Sequence, residues 1–323
     1  MQQPFTTDER LMDRALGAVL GAAVGDALGA GYEFARRPEP HEVEMRRGTL
    51  SGDPPGTWTD DTAMAVCVLR AGAAGHRLDT VDGQVEVGRG FLEWLNSGPP
   101  DVGIQTASVL RRVRDDDFHA QARAYEEANA LSAGNGSLMR TGPVALRHLG
   151  DRAALVEAAV GVSALTHSDP LATDACLLWT LAIERTIHTG TPRHPANELN
   201  HLPAERRPYW RERLDEASTL PPRHFAPNGF SVAALQAAWA SIAAQQAGDP
   251  DAFESCLRTA VAIGDDTDTV AAIAGGLLGA AVGASAIPSK WIDGLMGWPN
   301  GMDTEALLEL ARLAVGAAEE DRV

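Results

Sequence analysis

Aromatic residues make up only 5% of this chain, and its three cysteines, Cys67, Cys176 and Cys256, are widely spaced and each set in an apolar run. With few rings, the 45% hydrophobic fraction must fill a core with small aliphatic side chains on closely approaching elements. An odd, scattered set of cysteines with no Cys-x-x-Cys excludes a disulfide framework and reads as buried thiols in a reducing compartment. Positive charge is short as well. Lys+Arg 27 against Asp+Glu 44 gives a net charge of −17, which repels a nucleic-acid backbone and argues against nucleic acid as a partner. The opening MQQPFTTDER has neither a basic nor an apolar region of the kind a secretory signal needs, so the expectation is a cytoplasmic protein. Val270 to Pro288 is uncharged over nearly a bilayer span, yet only six of its residues are Val, Leu or Ile. It reads as a buried helix, and no membrane association is expected.

Alternating strand patterns are scarce, whereas apolar residues recur at helical spacing in many windows. These include Leu11 to Gly29, Thr62 to Gly72, Val85 to Asn96, Ala153 to Ala164, Leu171 to Ile187, Val232 to Gln246, Val270 to Ala284 and Leu307 to Ala317. The expected fold is all-α, one multi-helix domain over residues 1–323, with a polar, Pro-rich excursion at about 191–230. Two windows carry glycine rows, Gly17, Gly21, Gly25 and Gly29 in one and Gly275, Gly279 and Gly283 in the other. Glycine inside a helix costs roughly 1 kcal/mol relative to alanine, so rows in register predict a compensating close contact, with the two helices as candidates for it.

Two acidic motifs stand about 200 residues apart. Gly56-Thr-Trp-Thr-Asp-Asp-Thr62 runs from a Gly/Pro-rich loop into an apolar helix, where Thr59, Asp60 and Asp61 taken alone fit helix capping. Gly264-Asp-Asp-Thr-Asp-Thr269 repeats the layout, and three aspartates in four positions exceed what a cap requires. Crowded carboxylates repel one another unless a cation neutralises them, which points to metal binding. Carboxylate and hydroxyl oxygens suit hard cations such as Mg²⁺, Mn²⁺ or Ca²⁺ rather than zinc. An EF-hand is excluded, because Asp266-Thr-Asp268-Thr-Val270-Ala lacks the third oxygen ligand and the glycine of that loop.

Together with these motifs, Gly21-Ala-Ala-Val-Gly-Asp-Ala-Leu-Gly-Ala30 followed by Glu33, Pro100-Asp-Val-Gly103, Gly134-Asn-Gly-Ser-Leu-Met-Arg140 and Thr166-His-Ser-Asp-Pro170 occur in one order. In that order the sequence resembles the ADP-ribosylglycohydrolases, which include dinitrogenase-reductase-activating glycohydrolase and the ADP-ribosylarginine and ADP-ribosylserine hydrolases. The resemblance implies an all-helical fold around a dinuclear centre of two divalent cations, Mg²⁺ or Mn²⁺. It implies Thr59, Asp60, Asp61, Asp266, Asp268 and Thr269 as ligands, and Glu33 and Asp101 as catalytic carboxylates. Many members read Gly-Gly-Asp where this chain reads Gly264-Asp265-Asp266, so Asp266 is taken as the ligand and Asp265 as a helix-start group.

The implied reaction is hydrolysis of the ribosyl C1″ linkage, releasing ADP-ribose from an ADP-ribosylated protein side chain such as arginine, or from a small-molecule ADP-ribosyl substrate. Backbone N–H groups of a Gly-rich turn suit the pyrophosphate, which makes Gly134, Asn135, Gly136 and Ser137 substrate-binding candidates, with His167 and Ser168 beside a helix start. Arg140 reads equally as a phosphate contact or a partner of the acids, and Tyr32 and Trp58 are candidate stacking surfaces for adenine, although a lone aromatic beside a loop is more often packing. Three rivals are weighed against this. A catalytically weak ADP-ribose-binding relative would not need every metal-motif residue. A DxDxT-type phosphatase requires its aspartates after a strand of a parallel sheet, yet Phe253 to Ile263 reads as helix. A helical isoprenoid synthase would need a further acid after Asp60 and Asp61 and a more aromatic pocket.

Overall fold

The computed structural model describes residues 7–245, 251–299 and 301–321. The first residues of the N-terminal stretch and Gln246, at the end of one expected helix, lie outside the described residues. In chain order the helices are α1 (Thr7–Gly29), α2 (Asp60–Ala73), α3 (Val81–Asn96), α4 (Ile104–Leu110) and α5 (Phe118–Ala128). The short α6 (Leu138–Thr141) and α7 (Val144–Arg147) follow, then α8 (Arg152–Ser163), α9 (Pro170–Thr189), α10 (Arg207–Thr219) and α11 (Ser231–Ala243). The chain closes with α12 (Ala252–Val261), α13 (Thr267–Val282), α14 (Ser289–Ile292) and α15 (Thr304–Glu320). Among the described residues the only sheet is an antiparallel pair, β1 (Met296–Gly297) and β2 (Met302–Asp303), with Met296 opposite Asp303. The fold is all-α as the periodicity predicts, and none of the described helices is long and apolar enough to cross a membrane.

The centre of the molecule is the antiparallel pair α1 and α13, and the glycine rows make that pair possible. A Cβ built on Gly17 would lie 2.3 Å from the carbonyl oxygen of Gly279, one on Gly21 2.3 Å from that of Gly275, and one on Gly25 2.1 Å from that of Ala271. The backbones therefore touch where side chains would normally hold two helices 8–10 Å apart. α13 is apolar on every face and buried from Thr267 to Ala280, with α9, α11 and α12 packed around it. Gly283 departs from the expected row. α13 ends at Val282 rather than Ala284, and Gly283 caps it at φ +86, a left-handed conformation that favours glycine.

The scarce aromatics are concentrated inside. Trp94, Trp179, Trp210 and Trp291 are all fully buried, so the core is not filled by small residues alone. The stretch expected as an excursion at about 191–230 instead folds back as α10 and short 3₁₀ segments, with α10 packed on α11. Trp210 and Leu214 are buried, and Arg206 donates to Asp174 of α9 at 2.7 and 2.9 Å while the Trp210 indole N–H donates to the same carboxylate. Its charges disguise that anchoring, because Glu205, Arg211, Glu212, Asp215 and Arg223 remain exposed.

Candidate metal centre and active-site cleft

Because α1 and α13 run antiparallel, the C-terminal end of α1 lies beside the N-terminal end of α13, where the Thr267 hydroxyl donates to the carbonyl of Gly29 at 2.8 Å. The N-terminus of α2 arrives at the same place, held by Asp26. This fully buried carboxylate of α1 accepts from the backbone N–H groups of Thr59 and Thr62, each at 2.9 Å, and from both threonine hydroxyls at 2.8 and 2.6 Å. The capping duty that the sequence assigns to Thr59, Asp60 and Asp61 is thus carried out from another helix, and Thr59 makes no side-chain cap hydrogen bond. Asp60 and Asp61 are left free for something else. Asp26 is a site residue that the sequence reading quoted in a motif without assigning it a role. A signal was there, since it is the only ionisable side chain except Tyr32 between Ala15 and Tyr32, and a lone buried carboxylate requires partners.

The three helix ends bring the two distant motifs together. Oxygens of Asp26, Asp61 and Asp268 lie within 4.8 Å of one another, and so do oxygens of Glu33, Asp266 and Asp268, which makes Asp268 common to both groups. The Thr59 hydroxyl sits 3.3 Å from Asp61 Oδ2 and 3.4 Å from Asp268 Oδ2, and the Thr269 hydroxyl 3.5 Å from Asp61 Oδ2. Asp60 is in neither group and faces the adjoining cleft instead. Asp265 occupies the turn before α13 at φ +61, where its carbonyl accepts from the Phe34 N–H at 2.8 Å, so it serves the backbone of the site.

Among the described residues, none of Asp26, Glu33, Asp60, Asp61, Asp101, Asp266 and Asp268 forms an ion pair with Lys, Arg or His. Burial, reinforced by Asp266, Asp101 and Asp60, pushes Glu33 up to about 8, and burial with Asp101, Asp26 and Asp266 pushes Asp60 up to about 8. Asp61 and Asp268 are driven well above the usual carboxylate range by burial first and by their acidic neighbours second. A buried Asp61 oxygen, Oδ1, has no hydrogen-bond partner at all. An orphaned buried oxygen in an all-oxygen, uncompensated anionic cluster fits a hard divalent cation, which supplies both the missing contact and the missing charge.

Beside this centre opens a cleft of about 520 Å³. Its walls include Glu33, Asp53, Asp60 and Asp101, with Trp58, Trp298 and Pro100 among the apolar members and, among the described residues, no Lys or Arg. Glu33 and Asp101, which the sequence paired as catalytic candidates, therefore share one cavity with Asp60. The β1–β2 pair forms part of that wall, since Trp58 N–H donates to the carbonyl of Met296 at 2.9 Å directly before the Thr59-Asp-Asp motif.

The Gly134–Ser137 turn reaches the site differently from expectation. Asn135 donates from its amide to Asp266 Oδ2 at 2.7 Å, so its side chain orients a carboxylate of the centre, while its backbone N–H is taken by the carbonyl of Gly229. Asn228, which the sequence reading missed, accepts from the Asp266 N–H at 3.0 Å and donates to the carbonyl of Gly264 at 3.1 Å. No local pattern marks it, because its partners lie far away in the chain. Ser137 is fully buried with its hydroxyl accepting from Ser163 at 2.9 Å, which turns it into the core, and Ser168 donates to Glu126 at 2.7 Å. His167 is buried, and its ring edge lies against Gly134 and Gly136.

Three further expectations are corrected. Tyr32 is buried, its hydroxyl bonded to the backbone of Glu42 and Glu44 and its ring covered by the Arg46 guanidinium at 3.7 Å. Trp58 is buried beneath Gly297, with its indole N–H donated to the carbonyl of Trp298. Neither ring is free to stack on a base. Arg140 is fully buried and bonds to Thr166, not to an acid, and it has no open path to a phosphate.

Fold and site together define a helical enzyme scaffold with a buried carboxylate cluster at converging helix ends whose geometry could hold a metal ion. The ADP-ribosylglycohydrolase family model matches residues 7–322, and the chain belongs to that family. It is 33% identical over 294 residues to the ADP-ribosyl-[dinitrogen reductase] glycohydrolase of Rhodospirillum rubrum, covering 90% of this chain and 92% of the relative. It is 28% identical to the ADP-ribosylarginine hydrolase Tri1 of Serratia proteamaculans (88% and 76% covered) and 26% identical to human ADP-ribosylhydrolase ARH3 (87% and 89%). A solved ADP-ribosylglycohydrolase-related protein complex superposes with a TM-score of 0.73 at 28% identity, covering 96% of this chain and 99% of the other. The chain is accordingly a glycohydrolase, and the parallel sheet that a DxDxT phosphatase would require is absent among the described residues.

Proposed function

We propose that this protein hydrolyses the C1″ linkage of ADP-ribosylated arginine side chains, using two divalent cations, Mg²⁺ or Mn²⁺, held by Asp61, Asp266, Asp268, Thr59 and Thr269. The observation that carries the reading is the pair of carboxylate groups sharing Asp268, with Asp61 Oδ1 left unpartnered. Bound there, the cations would supply Lewis-acid stabilisation and a more acidic water. Glycosidic cleavage passes through an oxocarbenium-like state, so the site must orient the ribose and move one proton on to the leaving group. Glu33 and Asp101 face the cleft as the carboxylates that move that proton, a contribution typically of about 10²–10⁴ in rate.

The cleft favours a cationic leaving group, since Glu33, Asp53, Asp60 and Asp101 line it without a single Lys or Arg among the described residues, and the half-buried Trp298 indole suits a planar guanidinium. Named relatives act on ADP-ribosylarginine and on ADP-ribosyl-dinitrogen reductase, in keeping with a protein substrate. The three free, buried cysteines agree with work in the cytoplasm. Release of free ADP-ribose from arginine-linked and serine-linked peptides, with and without Mg²⁺ or Mn²⁺, tests this. The arginine-linked peptide should turn over only with cation, and Asp61→Asn and Asp268→Asn should each lose at least about 100-fold. Cation-independent turnover that survives both substitutions would sink the proposal.

A further inference from the structure

Arg140 is a fully buried, permanently charged group without a carboxylate partner. Its guanidinium lies over the Phe91 ring at 4.3 Å, its Nε has no acceptor, and one Nη reaches only the sulfur of Met64 at 3.5 Å. The remaining Nη donates to Thr166 Oγ1 at 2.7 Å, and that same oxygen lies 2.7 Å from Nδ1 of His167. Arginine only donates, so Thr166 spends a lone pair on it, and the threonine's single proton has one acceptor within reach, Nδ1. The imidazole must then carry its own proton on Nε2.

That edge of the ring points at glycines. A Cβ at Gly134 would lie 3.4 Å from His167 Nε2, and one at Gly136 3.4 Å from Nε2 and 3.2 Å from Cε1. Neither glycine has a positive φ, so room beside the imidazole, not backbone conformation, is what a side chain here would remove. Nε2 also has no protein acceptor within hydrogen-bond distance among the described residues.

From this geometry we infer that Arg140 and Thr166 are positioning residues, which lock His167 as the Nε2–H tautomer and present that N–H past Gly134 and Gly136 to a phosphate or hydroxyl oxygen of the substrate. The inference rests on the reading of the protein as acting on an ADP-ribosyl substrate, and it concerns a wall outside the lining of the acidic cleft. Burial and the nearby Arg140 charge hold the imidazole far below its usual pKa, so it donates as a neutral ring. The buried cation thus acts through the relay and touches no substrate.

The test uses ¹⁵N-histidine-labelled protein, whose long-range ¹H–¹⁵N spectrum reports which ring nitrogen carries the proton. Wild type and Thr166→Ser should show Nε2–H for His167, whereas Thr166→Val and Arg140→Met should mix in the other tautomer. Steady-state hydrolysis of an ADP-ribosylarginine peptide should show KM raised about tenfold in Thr166→Val with kcat changed much less, and Thr166→Ser should restore KM. A wild-type proton on Nδ1, or an unchanged tautomer in Thr166→Val, overturns the relay. A shifted tautomer with unchanged KM overturns its bearing on substrate. Absence of glycohydrolase turnover in wild type is a failure of the functional reading alone, because the spectrum still decides the relay.

Discussion

Each carboxylate of this centre is expensive on its own, and the structure keeps them usable by giving the hydrogen-bonding work to amides. Asn135 holds Asp266 Oδ2 with a side-chain N–H, and Asn228 holds the Asp266 backbone. Groups that orient a metal ligand typically change metal affinity 10–100-fold when removed. Asn135→Ala should therefore weaken Mn²⁺ binding by about 10–100-fold in isothermal titration calorimetry. Ser168→Ala should leave it unchanged, because Ser168 is bonded to Glu126. Equal affinities for wild type and Asn135→Ala would show that Asp266 is oriented by something else. At this scale the sequence displayed the charged residues well and their supports poorly. Asp60, Asp61, Asp266 and Asp268 stand out because carboxylates cluster along the chain, whereas Asp26 and Asn228 act across 33 to 38 residues and Asn135 across 131. A supporting amide leaves no local trace, since any Asn in a Gly/Pro-rich loop has a turn to explain it.

The helices matter to the chemistry through one contact. α1 meets α13 along Gly17, Gly21, Gly25, Gly275 and Gly279, and the register of that contact sets Asp26 beside Asp268. A Cβ at Gly279 would lie 2.0 Å from the Gly17 carbonyl oxygen, backbone against which no rotamer can yield. Gly279→Ala should cost about 3 kcal/mol or more by chemical denaturation, at the upper end of overpacking penalties, and should weaken Mn²⁺ binding as the two helices part. Gly316→Ala in α15 meets nothing within 4 Å and should instead stabilise by about 0.5–1 kcal/mol through helix propensity. If both substitutions had the same sign, close packing would not be what the glycine row is for. The row was legible because four-residue spacing is visible without any structure, and so were the long apolar helices. α10 was not, since Arg, Glu and Asp crowd its sequence. Its buried face is only Trp210, Leu214 and Ala217, a helical spacing too sparse to stand out from the charges around it.

For the whole molecule the anionic centre ties folding to cation binding and to pH. Glu33 and Asp60 have ordinary values of 4.5 and 3.8 and rise to about 8 in the cation-free fold, mainly through burial. A carboxyl raised on folding binds its proton more tightly in the native state, so the stability it contributes is present at low pH and is lost as pH climbs through about 8. Groups such as Asp117 and Asp151, whose values are lowered by hydrogen bonds to backbone N–H groups, act in the opposite sense, and their contribution disappears only on acidification below the usual carboxylate range. Five histidines, His119, His148, His167, His194 and His201, are held below their usual value by burial, so their contribution grows as pH rises to about 6.5, and the centre sets the trend alone only between about pH 7 and 8. At fixed ionic strength the melting temperature of the cation-free protein should fall across that window. Mn²⁺ at about 100 times its dissociation constant should add about 2.7 kcal/mol, and reaching that saturation should take less Mn²⁺ at pH 8 than at pH 5, where protons compete for the same oxygens. Asp268→Asn removes a carboxylate common to both groups, so it should flatten the cation-free profile and abolish the Mn²⁺ gain together. A melting temperature that holds level from pH 7 to 8 in the cation-free wild type, with no gain from Mn²⁺, would mean that these carboxylates are not repelling one another and that no cation is needed to hold them in place.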